Sequence, residues 1–255
     1  MRILTIARNT FREAVRDRVL YNLVLFVLLI TASAIFLGEL TAGQEARTIV
    51  NLGLNAMLIF GAFISIFVGV SLVSKEIERR TVFAIFSKPV GRGEFIAGKY
   101  LGLCLTLLVN VVIMGIGVSL ALLYVGGGNL AISIWGTIFL IFLELTILTA
   151  VAVLFSSFSS PALSALLTFF VFIIGNFSSS LRDFAANINS SSAKLFFEFL
   201  YYLLPNLSFY GFITNAAHND VPPVSLIGSA IVYAVVYVDI LLAAAILIFS
   251  RRNFK

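Results

Sequence analysis

Six runs of the chain are almost wholly apolar, and the polar residues are confined to what lies between them. The runs cover residues 19–37, 54–73, 100–125, 130–155, 161–177 and 226–249. A helix that crosses a bilayer needs about 20 mostly apolar residues, and each run meets or approaches that length. The pattern predicts an all-α membrane protein with six transmembrane helices in one domain, 1–255. The fifth run is the shortest, so its helix is expected to be tilted, bent or extended at one end.

Ahead of the first run the period changes. Ile3, Leu4, Ala7, Phe11, Ala14 and Val15 share one helical face, and Arg8, Arg12 and Arg16 line another at intervals of four. That is the signature of an interfacial helix, 1–18, with its greasy side among lipid headgroups and its arginines toward anionic lipid. The run that follows is long enough to span and has no small-residue cleavage site, so a span is expected rather than a cleaved leader.

The connections differ in kind. Residues 74–99 hold mixed charges (Lys75, Glu76, Glu78, Arg79, Arg80), then an apolar patch (Val82, Phe83, Ile85, Phe86), then the turn Lys88-Pro89-Val90-Gly91, and a new helix from about Gly93 into the third run. An apolar patch between charges, on a short helix outside the membrane, needs a partner surface or must fold back on its own chain. "SSFSS" followed by Pro161 suits a tight turn opening a helix. The connection 178–223 begins with serines and contains "AKLFFEFLYYLLPNLSFYGF", rich in aromatic residues and interrupted by Pro205. It is too short and broken to cross and return, and fits a re-entrant or interfacial helix. Phe196, Phe197, Tyr201 and Tyr202 are candidates for an outer gate toward an amphipathic substrate, or for a structural lid.

Charge sets the orientation. Arg2, Arg8, Arg12, Arg16 and Arg18, then Lys75, Arg79, Arg80, Lys88, Arg92 and Lys99, then Arg251, Arg252 and Lys255 fall on one side of a six-span arrangement. Only Arg47, Arg182 and Lys194 fall on the other. By the positive-inside rule both termini and the 74–99 loop are cytoplasmic, and 178–223 is extracytoplasmic. Composition agrees: 60% of residues are hydrophobic and 11% charged, more apolar surface than a soluble domain of 255 residues can hide. The single cysteine, Cys104, cannot form an internal disulfide.

Candidate chemistry is sparse. Glu144 and Asp239 lie near the middle of the fourth and sixth runs, with no lysine or arginine in any run to pair with. A charged side chain there costs a few kcal/mol or more. Each carboxyl must be neutral, face a wet cavity or bond a neighbouring helix, as a substrate or proton site or as interhelical glue. Gly61, Ser65 and Gly69 form a stripe that invites close helix packing, within one subunit or across a dimer seam. Gly93–Lys99 spells G-x-x-x-x-G-K, but Tyr100 stands where a phosphate loop needs Ser or Thr, and a proline-glycine turn precedes it instead of a buried strand. Gly98 and Gly102 are expected to admit a close helix instead. His218 and Asp220 are two metal-capable side chains, too few for a site. No catalytic, cofactor-binding or metal constellation stands out, and no nucleic-acid partner is expected.

The stretch "KEIERRTVFAIFSKPVGRGEFIAGKYLG" resembles the cytoplasmic signature of type-2 ABC-transporter permeases. Lys75–Glu76, Thr81, Ser87, Pro89, Val90, Arg92, Gly98, Lys99 and Tyr100 match; Arg80 departs from the glycine common before the threonine. "ARNTFREAVRDRVLY", "FSSFSSPALSAL" and "YYLLPNLSFYGF" are similar too, so the resemblance covers nearly the whole chain. It implies a permease subunit of an ATP-driven transporter, most members of which export. It further implies a homo- or heterodimer of permeases with two separate ATPase subunits, in a bacterial or archaeal cytoplasmic membrane. ATP and magnesium would be held by those partners, and this chain would bind no cofactor. The implied docking residues are Glu76, Thr81, Val82, Phe83, Ile85, Phe86, Pro89 and Arg92, with 81–86 as the coupling helix. Two other readings compete: a proton-coupled carrier using Glu144 and Asp239, and a membrane enzyme, for which catalytic residues are wanting.

Overall fold

In the computed structural model the described residues are 2–14, 43–78, 91–180 and 191–251, with isolated positions at 25, 26, 29, 30, 33, 36 and 183. Among them the regular structure is all helical. In chain order the elements are α1 (Arg2–Ala14), α2 (Glu45–Glu78), α3 (Arg92–Tyr124), α4 (Gly128–Ser156), α5 (Pro161–Asn176) and α6 (Ser191–Leu203). A 3-10 turn (Leu207–Tyr210), α7 (Ile213–Ala217) and α8 (Val224–Arg251) follow. Glu45–Ser71 within α2, together with α3, α4 and α8, are long and apolar enough to cross a membrane. With 16 residues, α5 reaches about 24 Å against a hydrocarbon core of about 30 Å. Most of the first predicted span lies outside the described residues, but the six positions described within it are all helical. Of these, Phe26 and Ile30, one turn apart, are buried, and Phe26 meets Phe60 of α2 edge-on with ring centroids 5.9 Å apart.

The helices follow the apolar runs with one extension. Residue periodicity places the second span from 54, yet α2 starts at Glu45, because Ile49, Val50 and Gly53 face inward between exposed Arg47, Leu52 and Asn55. An apolar stripe continues after the fully apolar window has ended. Ser156 ends α4 and Pro161 opens α5 at a first-turn position where its missing N–H costs nothing, so the four-residue connection is the expected tight turn.

The bundle is organised around α4, which packs against α2, α3, α5 and α8. Two apolar layers meet on it. One joins Leu54, Met57 and Ile64 of α2 with Leu107, Met114 and Val118 of α3 and Ile134, Ile141 and Leu145 of α4. The other joins Leu140, Leu143 and Ile147 of α4 with Leu207, Tyr210, Ala230 and Ala234. A smaller cluster closes the end at which α1 lies: Ala14, Phe95, Ile96, Leu103, Val153, Ala245 and Phe249. By contrast α8 buries only a narrow strip and leaves most of its apolar surface open, while α6 packs extensively against no other element.

Candidate functional site

The α1 end of the bundle is built by close approach. α1 lies across the start of α3, and two glycines make that crossing possible. A Cβ on Gly98 would stand 2.7 Å from Cβ of Ile6, and one on Gly102 would stand 2.6 Å from the backbone oxygen of Ala7 and 2.6 Å from Cβ of Thr10. Any side chain at Gly102 would therefore hit backbone. Lys99, between them and almost wholly buried, donates to Oε2 of Glu13 at 3.4 Å and lies over the Phe95 ring. The two final letters of the phosphate-loop spelling, Gly98 and Lys99, thus hold a helix, as the expected packing role for the glycines requires. Tyr100, the residue that breaks the spelling, is buried and donates its hydroxyl to the carbonyl of Thr146 at 3.3 Å, tying α3 to α4.

α3 begins at Arg92, with Gly91 as its N-cap. The carboxylate of Glu94 accepts from the N–H of Gly91 at 3.0 Å, closing the first turn. Arg92 reaches sideways: its guanidinium donates to the carbonyl of Phe249 at 3.4 Å and to that of Ser250, at the end of α8. Of the residues implied to dock an ATPase, Glu76 falls in the last turns of α2. Thr81, Val82, Phe83, Ile85, Phe86 and Pro89 lie outside the described residues. Arg92 is therefore the one whose side-chain geometry is described, and its charge addresses α8.

The two intramembrane acids part company. Glu144 is buried at the centre of α4, and its Oε1 accepts from the carboxamide of Asn176, the last residue of α5, at 2.9 Å; the same amide also donates to Phe172. Asp239 lies on the exposed face of α8 and makes no hydrogen bond or ion pair among the described residues. No hydrogen bond joins the two acids. Asn176 escaped the reading of the sequence, although a carboxamide closing an otherwise apolar run is a visible signal. The Gly61–Ser65–Gly69 stripe faces α4 of the same chain: a Cβ on Gly61 would meet Leu145 at 2.4 Å and one on Gly69 would meet Ala152 at 3.0 Å. That is packing within one subunit.

In α6, Phe196 and Tyr202 are exposed and Phe197 and Tyr201 half-buried. Neighbouring rings meet edge-on, 5.7 Å apart for Phe196–Phe197 and 5.4 Å for Tyr201–Tyr202. After α6 the chain is seated firmly: a Cβ on Gly175 would stand 2.8 Å from Leu207 and 2.9 Å from the carbonyl of Pro205. Tyr233 and Tyr237 of α8, which the reading of the sequence missed, bond the backbone there. Tyr233 accepts from the N–H of Asn206 at 2.9 Å, and Tyr237 donates to the carbonyl of Leu203 at 3.1 Å. The signal was present as two hydroxyls four residues apart in an apolar helix. His218 bonds the carbonyl of Thr214 through Nδ1 at 2.8 Å.

Several membrane-crossing helices about one buried helix, with an amphipathic helix laid across one end, describe a multi-pass membrane protein. Residues 4–254 match the profile of the ABC-2 family transporter protein. The chain belongs to that family, whose members are membrane permeases of ABC transporters. No curated protein matches it.

Proposed function

We propose that this chain is the membrane-spanning subunit of an exporter driven by separate ATPase subunits, and that the 79–90 loop is where their movement is received. The observation that carries the reading is the mounting of that loop. It leaves from α2 and enters α3, two long helices of the bundle, and α1 braces the entry at Gly98, Gly102 and Lys99. A segment pushed from outside moves a bundle through stiffly attached ends, and α1 holds the α3 end. The loop's apolar side chains, Val82, Phe83, Ile85 and Phe86, are suited to an apolar groove on a partner. Two permeases, identical or homologous, and two ATPases would complete the assembly, with ATP and magnesium held by the latter. The basic end, with both termini, faces the cytoplasm of a bacterial or archaeal cell on this reading. The carrier alternative draws little support, since Glu144 and Asp239 sit in unlike surroundings and share no contact.

The test is co-purification with the ATPase encoded in an adjacent reading frame, followed by an ATPase assay on the reconstituted complex. Stable assembly with substrate-stimulated hydrolysis is expected. A chain that purifies alone and transports down a proton gradient would overturn the reading.

A further inference from the structure

α8 is gripped in its last turn and again near its middle by groups from elsewhere in the chain. At one end are the last carbonyls of the helix, which have no partner within it. The guanidinium of Arg92 donates to two of them, those of Phe249 and Ser250, and so meets the negative end of the helix dipole. Beside it Phe95 stacks on Phe249, with ring centroids 6.1 Å apart and planes at 21°. Arg92 and Phe95 both lie in the first turn of α3, directly after the 79–90 loop.

Near the middle of the helix Tyr233 and Tyr237 stack one turn apart, 5.6 Å between centroids. Their hydroxyls hold the backbone on either side of Pro205, at Leu203 and Asn206. Leu203 is the last residue of α6, so Tyr237 caps that helix as Arg92 caps α8. Having little other packing, α6 takes its position from this attachment and from the seat of Leu207 on Gly175.

Between Tyr233 and Phe249 the helix contains neither glycine nor proline, so it has no point at which to bend. Its contact with α4 runs along a strip that begins with Ala230 and Ala234. The strip continues through Val238, Leu241 and Leu242, and packed helices of this kind move by small sliding along one another.

We infer that the second half of α8 is a rod that transmits movement of the 79–90 loop to α6, with Arg92 and Phe95 holding its last turn and the Tyr233 and Tyr237 hydroxyls holding the middle of the helix. The inference rests on the reading that a partner ATPase moves that loop. Arg92 and the two tyrosines are positioning residues in this scheme.

The experiment uses the whole complex with its ATPase in lipid nanodiscs. An environment-sensitive fluorophore is placed, in a Cys104→Ala background, either in the loop through Lys88→Cys or on α6 through Ser192→Cys. ATP with a hydrolysis trap should change both signals. Tyr233→Phe with Tyr237→Phe keeps the rings and removes both hydroxyls. It should preserve the loop response while bringing the α6 response to that of an ATP-free control. Arg92→Gln should lower the α6 response relative to the loop response, and Arg92→Lys, which keeps a donor for the same carbonyls, should restore part of it. An α6 response undiminished in the tyrosine variant overturns the inference, as does an Arg92→Gln variant with an unchanged ratio. If ATP moves the loop probe but not the α6 probe in the parent protein, the rod fails while the proposed function stands. If neither probe responds, both fail.

Discussion

Replacing Gly102 by alanine tests the seat of α1 most directly. The added Cβ would lie 2.6 Å from the carbonyl oxygen of Ala7 and 2.6 Å from Cβ of Thr10. Neither is the free end of a flexible side chain, so α1 must retreat by roughly 1 Å to regain an ordinary contact distance. Overpacking of this kind costs about 1–3 kcal/mol. α1 has 13 residues, and helices of about that length are marginal on their own, so the cost falls on its docked state. At about 1.4 kcal/mol per tenfold, the undocked fraction should rise roughly 5- to 150-fold. Hydrogen exchange of the backbone amides of residues 5–14, measured by mass spectrometry in nanodiscs, reads that fraction if exchange passes through local opening. Gly228→Ala is the matched control, since nothing lies within 4 Å of its added Cβ. Faster exchange in Gly102→Ala and none in the control is the expected result. Equal protection in the two variants would refute the claim that Gly102 sets the depth of the crossing.

Other outcomes follow from the same geometry. Phe83→Asp with Phe86→Asp should abolish co-purification of the ATPase while leaving the permease monodisperse in detergent; unchanged assembly would remove the docking role. Asn176→Leu leaves the Glu144 carboxyl without its donor and should cost about 1–3 kcal/mol, read as a lower midpoint of thermal unfolding. Glu144→Gln keeps an acceptor for Asn176 and should change that midpoint little, and full transport by it would show that the carboxyl's charge is not used. Gly175→Ala should loosen the segment 204–210, because Leu207 and the Pro205 carbonyl already stand within 3 Å of the new Cβ; limited proteolysis there should quicken, and an unchanged cleavage rate would contradict the seat.

What could be read from the residues was set by how polar groups interrupt apolar ones. The helices α3, α4, α5 and α8 were legible, because each apolar run stops at a glycine or serine. The first turns of α2 were not, since Glu45, Arg47, Asn51 and Asn55 broke the window while an inward stripe continued beneath them. Gly98 and Gly102 were legible as a close-packing pair, but the helix they receive could not be named from spacing alone. Glu144 and Asp239 looked equivalent for a physical reason: a helix apolar all round carries no record of which side faces in. Only tertiary packing separates a carboxyl bonded to Asn176 from one on an open face. The 81–86 patch remains a matter of sequence, its residues lying outside those described.

The position of α4 bears on how the protein is made. Its two sides are covered by different partners: α2 and α3, which emerge from the ribosome before it, and α8, which emerges after it. Until the 3-10 turn and α8 arrive, Leu140, Leu143 and Ile147 lack Leu207, Tyr210, Ala230 and Ala234, and of their cluster mates from other helices only those of α3 and α5, such as Tyr100 and Phe172, are in place. A nascent chain halted in the 178–223 connection would therefore display a helix that is finished on one flank and unfinished on the other. Membrane quality-control proteases would meet their substrate at that stage of synthesis.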